Sequence, residues 1–148
     1  MTEHVTKSII VKGDISQAFE VWANFESFPY FMKYVNRVTK TSPRTSHWEV
    51  SGRLGMKLEW DAETTRMDYN KRIAWNTKDH DGTITTSGDV VFSELPDNQT
   101  HITVTMNYSV PGGKVGEAVA QLFSDPNARL EEDLRNFKTY VENGNAWD

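Results

Sequence analysis

The chain contains no cysteine. Disulfides, thiolate nucleophiles and cysteine-ligated zinc are therefore excluded together. It has no apolar run long enough to span a bilayer, and Met1–Lys12 lacks the charged-then-apolar pattern of a secretion signal. The expectation is a soluble, cytoplasmic protein without integral membrane association, in which the sequons at Asn98 and Asn107 carry no glycan. No block of like charge occurs either, although the net charge is −5. Without a basic stripe to meet phosphates, nucleic acid is not an expected partner, and a polybasic membrane anchor is absent. The histidines (His4, His47, His80, His101) are scattered, with no pair at i,i+4 and no carboxylate at a ligand spacing, so no metal site is read. There is no G-x-S-x-G elbow. Pro111-Gly112-Gly113-Lys114-Val115-Gly116 is glycine-rich but lacks the P-loop spacing. It reads as the lead-in to a helix, with a mobile gate at a cavity mouth as its functional alternative. No cofactor is called for.

What the chain has in quantity is rings: five Trp, five Tyr and seven Phe in 148 residues. Its length fits one domain, residues 1–148, large enough for a real core. Val5–Lys12 is rich in β-branched residues and predicts a strand that Gly13 ends. Asp14 with Gln17 forms a capping-box pattern, and Ile15, Ala18, Phe19 and Trp22 mark one face of a short helix. Phe25–Tyr34 predicts a second short helix, with Phe28, Phe31, Met32 and Val35 buried. From Val35 to Ser109 the period becomes two. Trp48 and Val50 alternate with Glu49 and Ser51. Met56, Leu58, Trp60 and Ala62 alternate with Lys57, Glu59, Asp61 and Glu63. Glu59, Asp61 and Glu63 therefore read as a solvated outer face; a one-residue shift in register would turn them into the interior. Further strands fall at Ile73–Thr77, Thr83–Glu94 and Gln99–Ser109, joined by turns at Asp79–Gly82 and Pro96–Asn98. Gly52, Gly55 and Gly88 sit where a sheet could bend.

The C-terminal part carries one apolar stripe at helical spacing: Val115, Val119, Leu122 and Phe123, then Leu130, Leu134, Phe137 and Val141. Pro126 interrupts it, and Asp125-Pro126 can cap and restart the helix there. Glu131 and Arg135 form an i,i+4 pair on its wet side. A helix that follows antiparallel strands must lie across them, because each has an apolar face to bury. The fold class is α+β: a curved antiparallel sheet of about seven strands wrapped around a long C-terminal helix, with two short helices after the first strand. A cavity between sheet and helix is the expected seat of function.

Several segments in this order resemble the helix-grip fold of the START-like (SRPBCC) superfamily, its polyketide cyclase/dehydrase and coenzyme-Q-binding branch. They are Ser8–Val11, Ala18–Trp22, Phe25–Pro29, Trp48–Val50, Leu58–Trp60, Ile73–Trp75, Ser87–Phe92 and Leu130–Lys138. The resemblance covers essentially the whole chain. It implies a ligand held between sheet and helix, in proteins that range from lipid carriers through aromatase/cyclases to co-chaperone domains. In the cyclases a tyrosine after the second helix and an arginine on a middle strand line the pocket. Tyr34 matches the tyrosine. The arginine position holds Thr64, and Arg66, two residues on, would share its face about 7 Å away.

The candidate ligand-binding residues are Tyr34, Trp48, Trp60, Arg66, Trp75, Met106, Tyr108, Val119 and Phe123, each with ordinary core as its alternative. The first functional expectation is binding or transport of a small apolar or aromatic molecule (a lipid, quinone or polyketide-like compound). The second is a polyketide cyclase/dehydratase in which Tyr34 and Arg66 polarise a carbonyl. The third is a co-chaperone-like interaction domain, which the charged outer faces disfavour. Oligomeric state is left open.

Overall fold

A computed structural model of the chain describes residues 2–51, 57–77, 85–109 and 126–143. Strand β1 (Thr2–Lys12) leads into helix α1 (Ile15–Ala23) and a 3-10 helix (Phe25–Tyr30). Six strands follow: β2 (Val35–Lys40), β3 (Thr45–Ser51), β4 (Lys57–Asp68), β5 (Arg72–Thr77), β6 (Thr85–Leu95) and β7 (Gln99–Ser109). The chain ends on helix α2 (Pro126–Glu142). The strands form one seven-stranded antiparallel sheet in the order β1-β7-β6-β5-β4-β3-β2. This is the expected helix-grip architecture. No helix among the described residues is long and apolar enough to cross a membrane.

The inner face carries the alternate apolar residues, and Val11, Ile73, Val90 and Ile102 are fully buried on it. Helix α2 lays Leu130, Leu134, Phe137 and Val141 against this face, as the stripe predicts. It also covers the free edge of β1. Lys138 Nζ donates to the Ile10 carbonyl at 3.2 Å, and the Lys12 amide donates to Glu142 at 2.8 Å. These contacts blunt an edge that would otherwise pair with another chain. The helix starts at Pro126, whose missing N–H costs nothing in a first turn. The stripe residues Val119 and Phe123, the Asp79–Gly82 turn, and Gly52 and Gly55 lie outside the described residues.

Three local expectations are corrected. The capping box does not form: Asp14 makes no side-chain cap, and Gln17 Nε2 instead donates to the Val141 carbonyl at 3.2 Å. The second short helix is 3-10 and ends at Tyr30. Its aromatics recur every third residue, and three residues per turn stacks them on one edge. Phe25 and Phe28 lie 5.6 Å apart between ring centroids, Phe28 and Phe31 5.3 Å. Third, the ladder between β4 and β5 shifts register between Thr64 and Arg66, a bulge in which Thr64 faces Trp75 but Arg66 faces Ala74. The extra residue reverses the alternation. Arg66 is therefore turned to the outer face, where it is exposed and its Nε pairs with Asp68 at 2.6 Å.

Candidate functional site

Between the sheet and α2 lies a mostly apolar cavity of about 170 Å³. Its strand wall follows from register. Trp48 on β3 sits directly opposite Trp60 on β4, and their rings are parallel within 3° at 6.3 Å. The Trp48 indole N–H is satisfied by Ser46 Oγ at 2.9 Å, so the ring can face an apolar space without an orphaned donor. Phe28 packs edge-on against Trp48 with centroids 5.4 Å apart, which closes the wall from the 3-10 helix.

A second row runs across the sheet through Thr64, Trp75, Gly88 and Met106. Gly88 makes this row possible. A Cβ there would meet the Thr105 carbonyl at 2.2 Å and the Trp75 ring at 3.0 Å. Glycine thus lets the indole pack closely against β6. Trp48, Trp60, Trp75 and Met106 are each only partly buried, packed on the core yet facing the cavity.

Helix α2 contributes the polar end. Arg129, Leu130 and Asp133 line the cavity from that side, and Tyr34 comes from the segment after the 3-10 helix. The Arg129 guanidinium lies over the Tyr34 ring at 4.0 Å, a cation–π contact. Asp133 Oδ1 is buried with no hydrogen-bond partner among the described residues. Burial, with a smaller push from the Glu132 carboxylate and some relief from Arg129, lifts the Asp133 carboxyl to about 7. A neutral carboxylic acid near pH 7 is the expected response to an apolar setting.

Of the candidates read from the sequence, Tyr34, Trp48, Trp60, Trp75 and Met106 line this cavity. Arg66 does not, because of the bulge. Tyr108 occupies the register position opposite Thr86, a cavity residue. Arg129 and Asp133 are additions made by the structure. The signal for Asp133 was its place in the helical stripe, three residues after Leu130 and four before Phe137, where a carboxylate breaks an apolar face. Glu59 and Asp61 are on the exposed outer face, where they bracket His47 at 3.0 and 2.9 Å.

The sequence profile of the family described as "Polyketide cyclase / dehydrase and lipid transport" matches residues 11–135, and the chain belongs to that family. An uncharacterized 17.2 kDa protein from the melC2-rnhH intergenic region of Streptomyces lincolnensis is 31% identical over 138 residues, covering 93% of this chain and 89% of its own. A solved structure from Deinococcus radiodurans superposes with a TM-score of 0.76 at 27% identity, covering 96% of this chain and 98% of that one. The Zhui aromatase/cyclase of a Streptomyces species superposes at 0.79 with 14% identity, covering 96% and 94%. A START superfamily protein from Mycobacterium smegmatis does so at 0.77 with 16% identity, covering 95% and 97%. The last two likenesses bear on the fold alone. The family's description spans polyketide cyclases and dehydrases and lipid-transport proteins.

Proposed function

We propose that the protein binds a small, flat, largely apolar ring compound in this cavity and acts as a binder or carrier for it. The observation that carries this reading is the wall of partly buried indoles, Trp48, Trp60 and Trp75, facing an interior space instead of filling it. Apolar walls supply affinity without direction, and the few polar groups at the α2 end set orientation. Size narrows the ligand. Sites for drug-sized molecules run to roughly 300–1,000 Å³, so a cavity of about 170 Å³ suits about one or two fused rings better than a whole lipid.

The test is calorimetric titration of the purified protein with 2-methoxynaphthalene. Saturable binding at one site, weakened several-fold by Trp60→Ala, is the expected result. Heats no different from buffer would remove the reading.

A catalytic reading has one observation in its favour. Asp133 holds a proton to about 7 inside the cavity, near the value that suits a general acid or base at neutral pH. Tyr34 stands at the same end of the cavity. The other half of the expected cyclase pair is missing, since Arg66 points outward. Turnover of a poly-β-keto substrate by the wild type and not by Asp133→Asn would establish the cyclase reading over the carrier.

A further inference from the structure

The cavity carries very little charge. Tyr34, Arg129 and Asp133 are the titratable groups among its described lining residues. Burial holds the proton on Asp133 up to about 7, and Glu132, which acts on it from the same helix, does not line the space. The sheet contributes only uncharged groups there, the polar ones being the hydroxyls of Ser46, Thr64 and Thr86. Arginine stays ionised in proteins. Below neutral pH the Arg129 guanidinium is therefore the one formal charge that a described residue brings to the lining. Arg129 is half-buried, and its guanidinium lies 4.0 Å from the centroid of the Tyr34 ring. Lys33 Nζ, on an exposed side chain outside the lining, stands 5.6 Å from the same ring. An otherwise apolar cavity thus has a cationic end.

Building on the ligand-cavity reading above, we propose that Arg129 is the specificity-determining residue of this cavity, selecting ring compounds that carry one carboxylate. The Tyr34 ring holds the cation in place through its face. A guanidinium presents its N–H donors as a planar fork, which fits a carboxylate with two parallel charge-assisted bonds. A carboxylate placed among the indoles alone would lose its water with nothing in return. Against a half-buried cation it is paired, and the loss is offset. The division of labour is then simple. Trp48, Trp60 and Trp75 take the ring, and Arg129 takes the acid group. A ring compound with a cationic group meets a like charge and is rejected.

The experiment compares 2-naphthoate with 2-naphthamide, which has nearly the same shape and no charge. Both are titrated calorimetrically at about pH 6, where Asp133 keeps its proton, into wild type, Arg129→Gln, Arg129→Lys and Lys33→Gln. Wild type should prefer naphthoate about ten-fold. The glutamine variant should lose that preference and still bind the amide. The Arg129→Lys variant keeps the charge without the fork, so a smaller preference should remain. Lys33→Gln should behave nearly as wild type. Equal affinities on wild type, or a preference that survives in Arg129→Gln, would overturn the proposal. Should the glutamine variant fail to fold, an undiminished preference in Arg129→Lys does the same. Binding of the amide with no preference for naphthoate overturns this proposal alone; binding of neither overturns the ligand reading with it.

Discussion

Replacing Asp133 with asparagine keeps the size and shape of the side chain and removes its charge. The carboxyl is lifted from an ordinary 3.8 to about 7 by burial first and Glu132 second. The native state therefore holds a proton that the unfolded chain has already released. With the native value above the unfolded one, the stability it confers is complete below about pH 4 and is lost as pH rises to about 7. Above that the loss is constant. A shift of this size corresponds to about 4 kcal/mol at full ionisation. The buried amide of asparagine has its own desolvation cost, so the net gain should be on the order of 2–3 kcal/mol. Asp133→Asn is thus expected to be more stable than wild type at about pH 8.5 and nearly equal to it at about pH 4. Urea denaturation at the two pH values, with slopes unchanged, measures this directly. A variant no more stable than wild type at the higher pH, or equally stabilised at both, would refute the buried-acid argument.

Three further outcomes follow from packing and charge. Gly88→Ala forces a Cβ to within 2.2 Å of the Thr105 carbonyl and onto the Trp75 ring; it should cost about 1–3 kcal/mol in denaturation and weaken binding of the naphthyl probe. Phe137→Ala empties a fully buried site where the ring meets Trp22 and Phe31, and a loss of about 3–5 kcal/mol is expected from chemical denaturation. His47 is held above its ordinary value by hydrogen bonds to Glu59 and then Asp61, so its contribution is complete below about pH 6.5 and fades as pH rises through the native value. His47→Gln should therefore lower the melting temperature at about pH 5.5 and leave it nearly unchanged at about pH 9.

The architecture was legible because the two periodicities are clean. The alternation through Trp48, Val50, Trp60 and Ala62 specifies which face of β3 and β4 is wet, and Glu59 and Asp61 are indeed exposed there. Leu130, Leu134, Phe137 and Val141 specify the buried side of α2 in the same way. What the pattern does not carry is parity across an irregularity. Nothing in Thr64-Thr65-Arg66 announces a bulge, yet that one extra residue sends Arg66 outward and takes it out of the site. The 3-10 helix was half legible: the i+3 spacing of Phe25, Phe28 and Phe31 is its signature, and Pro29 inside it disfavours a longer α-helix. Gln17 shows the limit of local motifs, since a tertiary partner, the Val141 carbonyl, outcompetes the cap. Asp133 was visible as a carboxylate on an apolar stripe. Its meaning depended on the cavity opposite it, which only the closed sheet supplies.

The most direct test of the ligand cavity is a crystal structure of the protein soaked with 1-bromonaphthalene and phased on the bromine anomalous signal. The account predicts a single strong bromine peak between the Trp48–Trp60 pair and Trp75, with the ring plane against the indoles. A structure in which those indoles collapse onto one another, or in which bromine is found only on the outer surface, would contradict it.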